Sequence, residues 1–574
     1  MISLDTKPTA RSLLLLLLLA LLLYLPVLSI PEVRQADEAL QGAFIQDVVT
    51  GENWWQTRLY GQPVAGFPLY SWLGALTSFL RMPTAFTLRL PTVLSLFGLA
   101  LCSGLFAWRA QGRYAGYLAA SVVLTSAISF RTGIRAQSET VAALLLTLAW
   151  FLLYAFGWKA KRWWTAWGCS LLAVFLAQFA VGFKAPVVFY LPLLFLRNGF
   201  RTTDRLEAPS HVFPSLCFVI LTIAWLLSVP GQPYLPWSSI SSSFFAKSGG
   251  HSYLRHLVTM FPFAVCYLFP WTFFAWGPFC LALRQFEQNG PLCHYLRVIV
   301  ISNFILFWLL PKGSPLHLLP VFGPMAVLVG IHSEIIIRRY RNFWRLLLRL
   351  FGLLGLAGSL FGLLVALALA RGVLRSDILQ DGRPGAAAFF CLGALPAALI
   401  LSLWLLLKRN LSYRSAFLLA IAACQMPILS LSVFLGLHSS VRRENGLLLA
   451  RNCPKNATVC LEWMDNISAG KLLVETFYMQ AHILASKDPN AELSKSAETE
   501  HYLLSTRTPV LPEYQLSVAG QGIPLGERAS WQFSSWNRKR PFLEIQRRKK
   551  SPAPDAPTLQ LFKANRKPEG TTSP

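Results

Sequence analysis

The first 437 residues of the chain consist of long apolar runs separated by short polar segments, many of them basic. A stretch of about 20 apolar residues is long enough to cross the hydrocarbon core of a bilayer as a helix. By this length rule the pattern predicts about thirteen spanning helices. The runs are 12–30, 86–107, 114–132, 138–157, 164–182, 184–196, 212–229, 260–283, 298–310, 316–333, 346–370, 386–407 and 415–437. We therefore predict that residues 1–437 form an α-helical, polytopic membrane domain.

Basic residues predict the orientation of this domain. The run 12–30 follows Lys7 and Arg11 and has no small-x-small cleavage site behind it, so we predict a spanning helix with a cytoplasmic N-terminus rather than a signal peptide. Basic clusters then recur on alternate loops, which are expected to be cytoplasmic. They are Arg109 and Arg113; Lys159, Lys161 and Arg162; Arg197, Arg201 and Arg205; Arg284 and Arg297; Arg338, Arg339, Arg341, Arg345 and Arg349; and Lys408, Arg409 and Arg414. An odd number of spans places the C-terminus on the periplasmic side of a bacterial inner membrane.

Two outer loops are long enough to carry a functional site. The first is the periplasmic loop 31–85, in which Leu40, Phe44 and Val48 recur at i, i+4 and i+8. This spacing predicts an amphipathic helix lying in the membrane interface. The second loop, at about 230–259, is rich in Pro, Ser and Gly and contains cations that suit an anionic ligand.

The polar tail after residue 437 predicts a second domain. Strand-like runs alternate there with one helical run, 467–484, so we predict a small periplasmic α/β domain over 438–565. The strand-like runs are ATVCLEW, HYLLST, YQLSV, FLEIQ and TLQLF. Residues 566–574 are predicted to be disordered.

Composition agrees with a membrane protein. The chain is 54% hydrophobic and 14% charged, whereas an ordinary soluble chain has about 25% charged residues. The net charge of +26 would suit nucleic acid, but the charges lie in short clusters between apolar runs. That arrangement indicates loop orientation, anionic lipid headgroups and phosphate ligands instead. We therefore expect no nucleic-acid partner.

Cysteine spacing bears on the tail domain and on metal binding. Cys453 and Cys460 share one polar segment, and a disulfide between them suits an oxidising compartment. A zinc site would need more ligands than this segment offers. The sequence supports no cofactor and no metal-ligand set, and a divalent metal ion is left open.

Polar residues gather at the predicted outer ends of several spanning runs. Polar groups at such positions are costly and mark candidate sites. Asp37 and Glu38 follow the first run, Arg135 and Glu139 precede the fourth, and Lys184 lies in an apolar stretch. Lys312 and His317 lie between the ninth and tenth runs. Structural interpretations are also open: the cations could reach the lipid headgroups, Glu139 could cap a helix, and His317 could be an interfacial polar residue.

Carboxylates and cations together suit a phosphate-linked sugar donor. Cations bind and stabilise the departing phosphate, and a carboxylate orients or deprotonates an acceptor hydroxyl. The candidate catalytic residues are Asp37 and Glu139. The candidate donor-phosphate ligands are Arg58, Lys184, Lys312 and Arg135. The candidate acceptor or substrate contacts are Glu38, His317, Lys247 and Arg255. If Glu38 only supports the start of the helix, we expect Glu38→Gln to lower sugar transfer much less than Asp37→Asn.

The order of several motifs resembles the GT-C glycosyltransferases related to the lipid A aminoarabinose transferase and the protein O-mannosyltransferases. The motifs of the first loop are Asp37–Glu38, Gly51 with Trp54, Arg58–Leu59 with Gly61, Pro63, Tyr70 with Trp72, and Arg89–Leu90–Pro91. Those further along are Arg135 with Glu139, Lys184–Ala185–Pro186, Phe269–Pro270–Trp271, and His317–Leu318–Leu319–Pro320 with Pro324. The resemblance covers about residues 12–335 and is specific as a set. It implies a GT-C fold with an external C-terminal domain, in agreement with the pattern of runs.

The resemblance also implies a function. It is the transfer of a sugar from a polyprenyl (undecaprenyl) phosphate to a lipid A, lipopolysaccharide-like or other envelope acceptor at the periplasmic face. Expected partners are the donor, the acceptor and membrane lipid, and we expect a monomer. The sequence departs from the family at Gln62, where the family has a phosphate-binding Lys, and at His317, where it has Tyr.

Two alternatives remain open from the sequence. A transporter or flippase for lipid-linked sugars would show matching halves with Gly/Pro-interrupted helices, and no such internal repeat is present in the sequence. A non-catalytic homologue is the other alternative, because Gln62 removes one expected cation.

Overall fold

The structure is a computed structural model that describes the following parts of the chain. These are residues 24, 28, 33, 36–50, 54–59, 62–63, 66–133, 135–196, 200, 202–228, 250–310, 315–370, 395–407, 446–447, 449–451, 458–462, 477–479, 482–486, 500–505, 514–518, 523–524, 530–533, 545–548 and 558–566.

Helices account for most of the described residues up to 407. They are α1 (Ala36–Thr50), α2 (Leu69–Thr77), α3 (Ala85–Gln111), α4 (Arg113–Thr125), α5 (Ala127–Gly133), α6 (Ser138–Leu152), α7 (Trp163–Val181), α8 (Lys184–Phe195), α9 (Thr202–Leu206), α10 (Pro209–Ser228), α11 (Gly250–Tyr267), α12 (Thr272–Ala275), α13 (Leu281–Arg284), α14 (Gly290–Leu309), α15 (Leu319–Arg339), α16 (Arg341–Ala370) and α17 (Leu395–Leu407). The strands β1 (Arg58–Leu59) and β2 (Gln62–Pro63) form a short antiparallel pair between α1 and α2.

Seven of the described helices are long and apolar enough to cross a membrane, and a bent pair brings the number to eight. They confirm the predicted polytopic membrane domain. The prediction of about thirteen spans also depends on residues outside the described part, including nearly all of 12–30 and all of 415–437. The runs at 184–196 and 386–407 are helical over shorter stretches, in α8 and α17.

Two runs predicted as single spans are broken in the structure. The run 114–132 divides at Ser126 into α4 and α5, and 260–283 bends by 106° between α11 and the segment after it. The second break follows from Pro270, which has no backbone N–H to continue the helix. The two breaks are joined, because the amide of Ala127 donates a hydrogen bond of 2.8 Å to the carbonyl of Phe269.

The centre of the bundle is α15. Its residues are buried almost throughout, and it packs against α3, α4, α6 and α14. Small residues allow this close approach: Gly323 lies against Thr147, and Gly330 lies against the backbone of Ala115. In contrast, α10 exposes most of its apolar side chains, as expected of a helix that faces lipid tails.

The predicted helix of the first loop is confirmed as α1, but its surroundings differ from the prediction. It is buried by protein on more than one side, with polar Gln46 and Asp47 buried as well as Ala43 and Ile45. It packs on α2 and on residues of the tail domain. A helix enclosed in this way does not need one apolar and one polar face. The spacing of Leu40, Phe44 and Val48 therefore predicted a more amphipathic helix than α1 is.

The tail contains the predicted small α/β domain. Its strands are β3 (Thr458–Glu462), β4 (His482–Ser486), β5 (Glu500–Ser505), β6 (Tyr514–Val518), β7 (Ile523–Pro524), β8 (Ser530–Phe533), β9 (Ile545–Arg548) and β10 (Thr558–Arg566). The main sheet has the order β4-β3-β5-β10-β6, with β7 pairing with β10. Arg566, predicted to belong to the disordered end, is the last residue of β10, and residues 567–574 lie outside the described part.

One element of the tail was predicted wrongly. The run 467–484 was expected to be helical to its end, but its last residues belong to β4, which pairs in parallel with β3. Two parallel strands need a crossover connection between them, and this connection is usually a helix. Residues 477–479 are helical and lie in that crossover. The helical pattern therefore ends before His482.

Candidate functional site

A cleft among α6, α7, α8, α14 and the segment before α15 brings three of the predicted site residues together. Glu139, Lys184 and His317 line it, and the empty space in and in front of it, including open solvent, is about 300 Å³. The remaining wall is apolar, consisting of Ala142, Leu146, Val181, Ala185, Val188, Phe307 and Pro320. An apolar cleft with a few convergent polar groups is the usual form of a small-molecule site.

Lys184 is the first residue of α8, directly after a tight turn from α7. The turn depends on Gly182, whose φ of 76° lies in the left-handed region that favours glycine. A cation at a helix N-terminus is opposed by the helix dipole. Lys184 therefore occupies a position where an anion in the cleft would stabilise it.

His317 and Glu139 complete the polar part of the cleft. The Nε2 atom of His317 lies 3.5 Å from the Nζ atom of Lys184. Glu139 lies in the first turn of α6, where the helix dipole stabilises a carboxylate. The cleft thus combines an ammonium group and an imidazole with one carboxylate.

Glu38 is engaged in a buried ion pair, which the sequence did not predict. Arg89 of α3 binds it through two nitrogens, with Nε 2.6 Å from Oε1 and Nη2 3.2 Å from Oε2. The amide of Ala136 donates to Oε1 at 3.2 Å, and Nη1 of Arg89 donates to the carbonyl of Leu28 at 2.8 Å. Glu38 is 4% exposed and Arg89 is 1% exposed. Of the two residues in the acidic pair, Glu38 therefore has a structural role.

A chain of buried hydrogen bonds leads from this ion pair toward Glu139. The hydroxyl of Tyr70 donates to the carbonyl of Leu88 and lies 2.8 Å from the hydroxyl of Thr92. Thr92 in turn accepts from the amide of Gln137 at 3.0 Å. Burial raises the pKa of Tyr70, so it remains a neutral hydroxyl. These bonds tie α2 and α3 to the start of α6, and the bond from Ala136 to Glu38 ties the start of α1 to the same loop.

Arg135 lies in the loop before α6, near the ion pair. Burial and the neighbouring charge of Arg131 lower the pKa of its guanidinium, and the charge of Glu38 acts in the opposite direction. Arg131 itself donates to the hydroxyl of Tyr267 on α11. Positive charge therefore exceeds negative charge on this side of the loop, which suits an anionic group nearby.

The other predicted residues are not among those that line the cleft, or lie outside the described part. Asp37 is exposed in the first turn of α1, next to buried Glu38. Arg58 is half-buried in β1, and its Nε has no hydrogen-bond partner among the described residues. Arg255 is exposed on α11. Those outside the described part are Lys247, Lys312, Cys453 and the side chain of Cys460.

The sequence predicts no role for Arg89 beyond its place in the Arg-Leu-Pro motif. A signal was present, because an arginine inside an apolar spanning run is costly unless it is paired. Its partner could not be named, because Glu38 lies 51 positions earlier in the chain.

A second polar cluster lies at the opposite ends of α14 and α15. Glu287, Cys293 and His332 have ligand atoms within 4.8 Å of one another. The Nη2 atom of Arg297 binds Oε1 of Glu287 and lies 3.4 Å from Nε2 of His332. The cation that faces this carboxylate is therefore a guanidinium, and the cluster ties the two helices to the segment before α14.

Comparison with curated proteins shows a distant sequence similarity to aminoarabinose transferases. The chain is 25% identical over 332 residues to the undecaprenyl phosphate-alpha-4-amino-4-deoxy-L-arabinose arabinosyl transferase of Erwinia tasmaniensis, covering 54% of this chain and 57% of the relative. It is 24% identical over 360 residues to transferase 2 of the same name from Proteus mirabilis, covering 59% and 62%. The matches thus span less than two thirds of these relatives. No protein-family model matches the chain.

The similarity to solved structures covers a larger part of this chain. The crystal structure of ArnT from Cupriavidus metallidurans in the apo state matches with a TM-score of 0.63 at 13% identity, covering 86% of this chain and 93% of that one. This chain has the GT-C fold. A crystal structure of the same ArnT bound to undecaprenyl phosphate matches with a TM-score of 0.63 at 14% identity. The fold implied by the motifs is therefore confirmed.

Proposed function

We propose that this protein is an inverting glycosyltransferase that moves a sugar from a polyprenyl phosphate, such as undecaprenyl phosphate, to an envelope acceptor. The observation that carries the proposal is the cleft, in which Lys184 and His317 lie 3.5 Å apart beside Glu139 within an apolar wall. The matched relatives are named as undecaprenyl phosphate-aminoarabinose transferases, and the chain shares the fold of ArnT from Cupriavidus metallidurans.

The cleft suits the phosphate of the donor and its apolar chain. An anion beside Lys184 relieves the dipole penalty on its ammonium group, and His317 lies within 3.5 Å of the same group. The Lys184 ammonium would stabilise the negative charge that develops on the departing polyprenyl phosphate. Gln62, where the family has Lys, makes this ammonium group more important here.

The reaction needs one bond to form and one to break. An acceptor oxygen attacks the anomeric carbon, the bond from that carbon to the phosphate oxygen breaks, and polyprenyl phosphate departs. A hydroxyl acceptor loses its proton to Asp37, which is exposed at the start of a well-packed helix. A phosphate acceptor, such as that of a lipid A-like molecule, is already anionic and needs no base. Glu139 serves as the second carboxylate, orienting the sugar or the acceptor.

The proposal includes the orientation of the active site and the oligomeric state. The active site faces the periplasm from a bacterial inner membrane, and the protein acts as a monomer. The rival function, transport of lipid-linked sugars, would leave the donor intact and would not need a carboxylate at the reacting carbon.

Orientation is tested with fusion reporters. We expect a reporter at Gly112, in the short loop between α3 and α4, to be cytoplasmic, because Arg109 and Arg113 flank it. A reporter after Pro574 should be periplasmic. Matching signals from the two sites would contradict the proposed arrangement.

The phosphate site is tested with Lys184→Ala. Removing a charge-assisted hydrogen bond costs about 1.5–3 kcal/mol, so the affinity of the purified protein for undecaprenyl phosphate should fall about 10-fold to 150-fold. Arg58→Ala should weaken binding as well, and Gln62→Lys should be tolerated or improve turnover.

A matched control is Lys159→Ala, which removes an exposed lysine at the far end of the helical segment that begins with α6. It should leave binding of undecaprenyl phosphate unchanged. Wild-type affinity in both Lys184→Ala and Arg58→Ala would place the phosphate elsewhere.

A further inference from the structure

Residues 477–479 of the tail domain lie directly on α1, the helix that carries Asp37. Phe477 is 2% exposed, and its ring packs on Gly42. A Cβ atom added at Gly42 would lie 2.5 Å from Cδ2 of Phe477, which is closer than van der Waals contact allows. Glycine at position 42 therefore permits this contact.

Two hydrogen bonds reinforce the contact at either side of Asp37. The Nε2 atom of Gln46 donates to the carbonyl of Phe477 at 3.2 Å. The backbone amide of Val33 donates to the hydroxyl of Tyr478 at 2.7 Å. The tail thus holds the chain four residues before Asp37 and nine residues after it.

The membrane domain holds the opposite side of α1. Glu38 is bound by Arg89, and Ile45 packs on Gly74 of α2, where a Cβ would lie 2.2 Å from Cδ1 of Ile45. Asp37 itself is exposed and has room to reach a substrate. Its backbone is therefore fixed by two domains while its carboxylate remains accessible.

We propose that Phe477 and Tyr478 form a clasp that positions the catalytic helix α1, so that the tail domain is part of the catalytic unit. This inference rests on the proposed function and on the role of Asp37 in it. Catalytic groups must be held closely in place, because a displacement of about 1 Å can cost about 100-fold in rate. Phe477 and Tyr478 are positioning residues, since they act through α1 and not on the substrate.

The test is Tyr478→Phe in the full-length protein, which removes only the hydroxyl that binds Val33. The expected result is a fall of about tenfold in kcat, with the KM for the sugar donor and the affinity for undecaprenyl phosphate unchanged. Deuterium uptake at the backbone around Val33 should rise. The matched control is Tyr190→Phe, which removes a hydroxyl bonded to His211 and Ser215 away from α1. It should leave kcat and uptake at Val33 unchanged.

A second pair of variants supports the test if Tyr478→Phe is poorly folded. Gly42→Ala should lower kcat by displacing Phe477, and adding Phe477→Leu should restore part of it by making space. Unchanged kcat with raised deuterium uptake would overturn the positioning role. Parallel loss of kcat, donor affinity and thermal stability would also overturn it, because that is the result of general destabilisation. If wild-type protein transfers no sugar, the proposed function fails, and the uptake data report separately whether the clasp contact exists.

Discussion

Asp37→Asn is expected to lower sugar transfer to a hydroxyl acceptor by at least about 100-fold, because general-base catalysis contributes about 10²–10⁴-fold. The change keeps the size of the side chain and removes its charge. Asp37 is exposed in α1, so its substitution should leave expression and thermal stability near those of the wild type. The measurement is the initial rate of transfer by purified protein, with expression and melting temperature recorded in parallel.

The matched control is Asp204→Asn, which removes an exposed carboxylate from α9. It should transfer sugar at the wild-type rate. A smaller effect of Asp37→Asn would be expected with a phosphate acceptor, because no proton is removed there. A near-normal rate with an established hydroxyl acceptor would remove Asp37 from the mechanism.

Arg89→Met is expected to destabilise the protein by about 3–5 kcal/mol, because it leaves the buried carboxylate of Glu38 without its counter-charge. Glu38→Gln should also be strongly destabilising, since it leaves the buried Arg89 guanidinium unpaired. The expectation from sequence that Glu38→Gln lowers transfer less than Asp37→Asn stays a prediction, and the structure adds a cost in stability. Thermal unfolding of the purified protein in detergent measures both effects.

The double variant Glu38→Gln with Arg89→Met provides the internal control. It removes both charges and keeps an oxygen that can accept from the amide of Ala136. Its loss of stability should be clearly smaller than the sum of the two single losses, as expected for residues in direct contact. Additive losses would show that the ion pair does not couple α1 to α3.

The membrane domain could be predicted from the sequence because its signal is local. Each long apolar run satisfies the length rule by itself, as the run at 164–182 does in becoming α7. The breaks within two runs were not predicted. The runs are apolar over most of their length, so their composition indicates continuous helices, but the helices are interrupted at Ser126 and Pro270. In the tail, the strands at 458–462 and 500–505 were recognised from their pattern. The parallel strand β4 was not, because its pairing with β3 is non-local.

The candidate site was predictable in its residue types but not in its contacts. Glu139, Lys184 and His317 were chosen as polar residues at the ends of apolar runs, and the structure brings them to one cleft. The pairing of Glu38 with Arg89 and the contact of Tyr478 with Val33 join positions that are 51 and 445 residues apart. Such pairings depend on how the helices and the tail domain pack, which the local pattern does not contain. The roles of Asp37, Arg58 and Arg255 stay predictions.

The central claim, transfer of a sugar from a polyprenyl phosphate, is tested most directly by mass spectrometry of envelope lipids and glycoproteins. The samples come from a deletion strain that carries no gene copy, the wild-type gene or the Asp37→Asn variant. We expect one envelope component to lack a sugar in the deletion strain and to regain it only with the wild-type gene. Identical spectra from all three strains would contradict the central claim, whereas restoration by Asp37→Asn with a hydroxyl acceptor would remove only Asp37 from the mechanism.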